Sequence, residues 1–260
     1  MTIINREQPF IYLKSRKTAS SSIEIHLILN TECGQDIFAT SREILRFGRN
    51  RAQRHRALVP GLIKGWYTPQ RFENCIRGHV RGGGRLLPVL NQHDPARRVR
   101  RMIGGRFFDR AIKAVPVRNP WDAVVSYYEW ERSGGQGRTK QVDLPWAAWL
   151  ANKLEPAPKG KKISIAEQFL FDDWLNIRGS PVECCFIYFE DIEASLEALA
   201  SALKLSSDKF SEMPFHFKKA GRVSDYRHYF TDQQAGAVAQ AFQGYLQRTG
   251  YRYDRPGLAP

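Results

Sequence analysis

The stretch that most constrains this chain is residues 9–29, PFIYLKSRKTASSSIEIHLIL. An apolar run, Phe10 to Leu13, stops at three cations, Lys14, Arg16 and Lys17. Thr18, Ala19, Ser20, Ser21 and Ser22 follow, and then an apolar pattern with helical spacing begins. Strand, short loop and helix start, in that order, is how α/β proteins hold a phosphate. Free N–H groups at the helix N-terminus and the helix dipole face the anion, and hydroxyls and a lysine add donors. The serines could simply cap a helix, but that leaves the three cations before them without a reason.

Residues 111–130, AIKAVPVRNPWDAVVSYYEW, repeat the arrangement. An apolar strand delivers Arg118 into an Asn-Pro turn. A helix then starts at Pro120, the favoured first helical position, and places Ser126 on its early turns. Trp121, Tyr127, Tyr128 and Trp130 are expected to pack that helix into the core. Two strand-to-helix anion sites in one chain point to a ligand with phosphates at two places.

At 260 residues the chain suits one large α/β domain, 1–260, rather than two small ones. Its 42% hydrophobic content is that of a globular protein. No run approaches the length of a membrane span, and the first ten residues carry no apolar signal region, so a cytoplasmic protein is expected. Cys33, Cys75, Cys184 and Cys185 lack metal-ligand spacing and are read as structural, reduced thiols. The net charge of +14 is unevenly spread. Residues 42–118 hold 19 Lys and Arg against four acidic residues, and the rest of the chain is close to neutral. A field so concentrated would attract an anionic partner, although basic faces are often merely solvated.

Strands are expected at 9–14, 111–117 and 184–189, with a weaker one near 75–80. Helices are expected at 21–30, 41–55, 95–104, 120–132, 144–153, 164–177, 192–203 and 231–247. Their alternation predicts an α/β fold, a central parallel β-sheet flanked by helices on both faces. The segments 81–85, 133–140 and 155–162 read as loops.

The loop at 14–22 lacks the G-x-x-x-x-G-K-[ST] pattern and contains no glycine, which argues against an ATP-type cradle with its magnesium. K-T-A-S-S-S followed by R-N-P-x-D-x-x-V-S-x-Y instead resembles the sulfotransferases that use 3′-phosphoadenosine 5′-phosphosulfate (PAPS). The loop looks closest to the heparan sulfate 2-O-sulfotransferase type and bacterial carbohydrate sulfotransferases. The resemblance implies a P-loop-NTPase-like sulfotransferase fold. It implies that Lys17, Thr18, Ala19, Ser20, Ser21 and Ser22, with Arg16 beside them, grip the 5′-phosphosulfate. Arg118 and Ser126 would hold the 3′-phosphate. Residues 219–230, KAGRVSDYRHYF, are similar to the family's basic R-K-G segment, which brings Lys219, Gly221 and Arg222 to the same phosphate, with Ala220 replacing a lysine.

The reaction implied is in-line transfer of a sulfuryl group to a hydroxyl, with adenosine 3′,5′-bisphosphate (PAP) as product and no metal. The resemblance makes Lys17 catalytic, since it can stabilise charge on the leaving phosphate. It also makes His79, in RGHV, the general base, because a hydroxyl acceptor must lose its proton. A lone histidine at a strand end also has an ordinary structural use, and no motif places His55, His93 or Glu24. The acceptor expected is a carbohydrate or glycolipid, an anionic glycan among the candidates. The alternative is a non-catalytic nucleic-acid-binding protein using the arginines of 49–56 and 97–101, a reading that leaves both loops without a role and that no nucleic-acid signature supports. A nucleotide kinase is disfavoured by the missing glycines.

Overall fold

The computed structural model describes residues 2–5, 9–20, 22, 23, 27, 35–38, 93–134, 142–155, 174–205 and 225–254. Its strands are β1 (Thr2–Asn5), β2 (Phe10–Leu13), β3 (Gln35–Phe38), β4 (Ile112–Val117), β5 (Asn176–Ile177), β6 (Ser180–Pro181) and β7 (Cys185–Tyr188). Its helices are α1 (Ala96–Ile103), α2 (Gly105–Arg110), α3 (Pro120–Arg132), α4 (Trp146–Leu154), α5 (Ile192–Ala202), α6 (Asp232–Ala241) and α7 (Gln243–Thr249). Helical backbone also begins at Ser20.

Five strands form one sheet in the order β3-β1-β2-β4-β7. Its centre is parallel, as expected. Phe10 pairs with Ile112 and Tyr12 with Ala114, and Val117 at the end of β4 pairs with Tyr188. The other side departs from an all-parallel sheet: β1 lies antiparallel to both β2 and β3. The sheet is therefore mixed, a parallel core carrying an antiparallel margin.

The unbroken apolar run of β2 follows from burial on both faces. Ile11 and Leu13 join Val115, Val117, Val99, Phe107 and Val124 in the layer beneath α1–α4, α6 and α7. Phe10 and Tyr12, one residue out of step, join Ala114, Ile187, Ile23, Leu27, Leu196 and Leu199 in the layer beneath α5. Side chains alternate along a strand, so only a continuous apolar sequence can serve two cores.

Helix boundaries follow the capping chemistry. The Asn119 side chain accepts from the N–H groups of Trp121 (3.1 Å) and Asp122 (3.3 Å), and Pro120 takes the first helical position, so α3 spans 120–132 as the sequence predicts. Thr231 and Gln234 form a reciprocal capping box that starts α6. The helix expected over 231–247 breaks at Phe242 and resumes as α7, which contains Gly244, a weak helix former. The helix expected through 177 is also shorter. Trp174 is helical, but Asn176–Ile177 pairs with Ser180–Pro181 around Arg178 and Gly179, both at positive φ, as a tight two-residue hairpin requires. The helix at 41–55, the strand near 75–80 and the loop at 81–85 lie outside the described residues. Among the described residues no helix is long and apolar enough to cross a membrane.

Candidate functional site

β2 and β4 run parallel as neighbours, so their carboxyl ends open at the same edge, the usual place for ligands in open α/β sheets. Past β2, the chain makes a glycine-free loop in which Lys17 (φ 60°) and Ala19 (φ 50°) both take the left-handed region. That conformation costs an ordinary residue of order 1 kcal/mol and collects at functional sites. It is also the kind of turn that converges backbone N–H groups into an anion-binding concavity.

Several contacts enforce the strained path. The Ser15 hydroxyl donates to the Pro116 carbonyl of β4 and shares a 2.8 Å hydrogen bond with the Thr18 hydroxyl. Tyr12 donates to the Ser20 carbonyl at 2.9 Å, and the Ala19 carbonyl accepts from Ser22 (2.8 Å) and Ile23 (3.2 Å) to begin the helix. Thr18, Ser20 and Ser22 are buried, Arg16 is exposed and Lys17 is half-buried. Thr18 thus braces the loop in this structure. Lys14, a buried lysine, closes the strand end beneath it. The Lys17 ammonium sits over two rings of α3, 4.1 Å from the centroid of Trp130 and 5.4 Å from that of Tyr127. These two aromatics are half-buried and carry the cation, whereas Trp121 and Tyr128 are buried in the core as expected.

At the end of β4, Arg118 is fixed on three sides. Its Nε donates to Asp122 Oδ2 at 2.7 Å, its Nη2 lies 2.7 Å from the same oxygen, and its plane stacks 4.1 Å from the Phe189 ring. Its Nη1 donates to the Lys17 carbonyl at 3.0 Å. The two strand ends are therefore joined directly. Of the five guanidinium N–H donors, those bonds leave one on each terminal nitrogen, the fork that suits an anion. Ser126 lies half-buried on α3, one turn beyond Asp122; Asp122 is the α3 side chain that holds Arg118. The turn behind Arg118 is anchored from the C-terminal part of the chain. Glu190 accepts from the Asn119 N–H at 2.8 Å and from Tyr251 at 2.5 Å. Burial pushes the Glu190 carboxyl above its ordinary range, and those two hydrogen bonds oppose the shift.

Among the described residues, His93 reaches this edge. Its Nδ1 lies 2.8 Å from the Lys14 carbonyl. A carbonyl only accepts, so Nδ1 carries the proton of the neutral ring and Nε2 is the lone-pair nitrogen. Burial, together with the positive charges of Arg16 and Lys14, lowers its pKa from 6.5 to about 3. One signal in the sequence could have found it. A helix that leads into a parallel strand runs against that strand, so the start of α1 must lie at the edge where β4 ends. His79, Ser21, Lys219, Gly221 and Arg222 lie outside the described residues. The described end of the 219–230 segment does approach the turn: Asn119 Nδ2 donates to the Tyr226 hydroxyl at 3.4 Å. Among the described residues no group of three or more His, Cys, Asp or Glu is placed to hold a metal ion. Cys184 and Cys185 are half-buried, and burial pushes the Cys184 thiol up to about 12, as for an inert side chain.

No protein-family model matches the chain, and no curated protein matches it. Among solved structures, the mouse sulfotransferase SULT7A1 complexed with PAP aligns over 95% of this chain and 87% of its own, at 15% identity and a TM-score of 0.49. At that identity and TM-score the match transfers no residue role to this chain.

Proposed function

We propose that the chain is a sulfotransferase that moves a sulfuryl group from PAPS to a hydroxyl acceptor. The observation that carries this reading is the 3.0 Å bond from Arg118 Nη1 to the Lys17 carbonyl, which brings two cationic strand ends within reach of one nucleotide. In the proposed arrangement the strained loop and Lys17 receive the 5′-phosphosulfate. Arg118, with Ser126 and the basic residues Lys219 and Arg222, receives the 3′-phosphate, and Gly221 lets the backbone approach it.

In the transfer, the acceptor oxygen forms a bond to sulfur as the bond from sulfur to the 5′-phosphate oxygen breaks. PAP leaves with the electron pair. Lys17 offsets the charge that builds on that oxygen, which is how fixed cations lower such barriers. The acceptor proton passes to a base. His79 remains one proposal from the sequence. His93 is a second by position, with a lone-pair Nε2 beside the loop, but a pKa lowered to about 3 makes it the weaker base. The acceptor proposed is a carbohydrate or glycolipid hydroxyl on an anionic carrier. Arg97 supports this, being exposed at the start of α1 on the site's edge while Arg98 is neutralised by Asp94.

A thermal-shift comparison tests the reading. PAP should raise the melting temperature well above the shift produced by AMP, which lacks the 3′-phosphate. Equal shifts would remove the Arg118 site. Lys17→Ala should abolish sulfate transfer while leaving the fold intact, and near-normal transfer would refute its role.

A further inference from the structure

Beyond the cationic side chains, the turn that carries Arg118 is held by groups with no role in the chemistry. Arg118 lies one residue past the β4–β7 ladder, whose final pair is Val117 with Tyr188, so its peptide groups have lost their strand partners. The Tyr245 hydroxyl on α7 supplies both. It accepts from the Arg118 N–H at 2.9 Å and donates to the Arg118 carbonyl at 2.8 Å, across 127 positions of sequence. We propose that Tyr245 is a positioning residue for the anion grip, setting how well the site distinguishes a 3′-phosphorylated nucleotide from one without that phosphate. This inference rests on the nucleotide reading given above.

The arrangement favours such a role over ordinary packing. One hydroxyl satisfies both backbone groups of a single residue, and that residue presents the guanidinium. The Tyr245 ring is buried and stacks parallel to Tyr251 (6.1 Å between centroids, planes 4° apart). Tyr251 in turn donates to Glu190, whose other oxygen holds the next peptide, Asn119. Two consecutive peptides are thus pinned by one layer of side chains. Burial keeps the Tyr245 phenol protonated far beyond neutral pH, so it stays available as a donor. The side-chain contacts of Arg118, to Asp122, Phe189 and the Lys17 carbonyl, do not involve Tyr245. Removing the hydroxyl therefore frees the base of the side chain while leaving its tip chemically unchanged. A guanidinium on a loosened base costs more to fix at binding, and that cost falls on the phosphate it meets.

Tyr245→Phe keeps the ring and deletes both bonds. The ratio of PAP affinity to AMP affinity, measured by calorimetric titration on the folded protein, should fall about tenfold, with AMP affinity changed less than about twofold. Leu199→Ala, in the opposite core layer, serves as a destabilised control and should keep the wild-type ratio. A wild-type ratio in Tyr245→Phe, or an equal fall in Leu199→Ala, would overturn the proposal. If Tyr245→Phe does not fold, Tyr251→Phe decides. It removes only the bond to Glu190 and should lower the ratio a few-fold, and an unchanged ratio would overturn the proposal. Wild-type protein that fails to distinguish PAP from AMP would instead strike the nucleotide reading, and this inference with it.

Discussion

His93 shows how one residue ties the site to the stability of the whole chain. Its pKa falls from 6.5 to about 3 on folding, chiefly through burial. Between those values the unfolded chain binds a proton that the folded chain refuses. The contribution of this group is therefore complete above pH 6.5 and shrinks as pH falls toward 3, by at most about 1.4 kcal/mol per pH unit. His93→Gln should flatten that part of the profile. Urea unfolding at pH 7, 5.5 and 4.5 would check it, and an equally steep decline in the variant would place the effect elsewhere. Ala19 carries a second residue-scale consequence. At φ 50° its Cβ is a liability that glycine lacks. Ala19→Gly should raise stability without ligand by about 1 kcal/mol, read as a higher melting temperature.

At the scale of elements, α3 was legible in the sequence. Asn119, Pro120 and the apolar spacing beyond them define a cap, a first turn and a buried face, all local properties. β2 was legible too, because a strand with two covered faces must be apolar throughout. What sequence could not supply was the partner of each polar group. Asp122 holds Arg118 from the next turn of α3, yet its carboxylate in the first turn of a helix looks like ordinary dipole compensation. Thr18 reads as a ligand hydroxyl, and nothing in the sequence shows its bond to Ser15, which in turn reaches β4. β1 was missed since four residues of mixed polarity carry little periodic signal, and its pairing is decided by β2 beside it. The break at Phe242 is equally silent in a helical pattern that continues on both sides. Asn119→Ala tests the legible part. It removes the cap of α3 and should cost about 1–2 kcal/mol in chemical denaturation. It should also weaken PAP binding, because the same side chain connects the turn to the Tyr226 hydroxyl and the Arg252 carbonyl.

At the scale of the molecule, among the described residues the five-stranded sheet separates two apolar layers of unequal size, the larger under six helices and the smaller under α5 with Ile23 and Leu27. Both contain residues of β2 and β4, so the two layers share the central strands of the sheet. Leu199→Ala, in the smaller layer and fully buried, should lower global stability by about 2–5 kcal/mol. Coincident loss of near- and far-ultraviolet dichroism in that variant would show the layers melting as one cooperative body, and two separated transitions would show the reverse.

Translation adds a timing constraint to this architecture. Besides Glu190, the braces of the Arg118 turn come from Tyr226, Tyr245, Tyr251 and the Arg252 carbonyl, all synthesised more than a hundred residues after the strand they steady. A nascent chain halted at residue 200 would have its parallel strands and the Glu190 contact, but not the two bonds that Tyr245 makes to the Arg118 peptide groups. On the nucleotide reading proposed above, a ligand can draw on those braces only after residues 226–252 have left the ribosome.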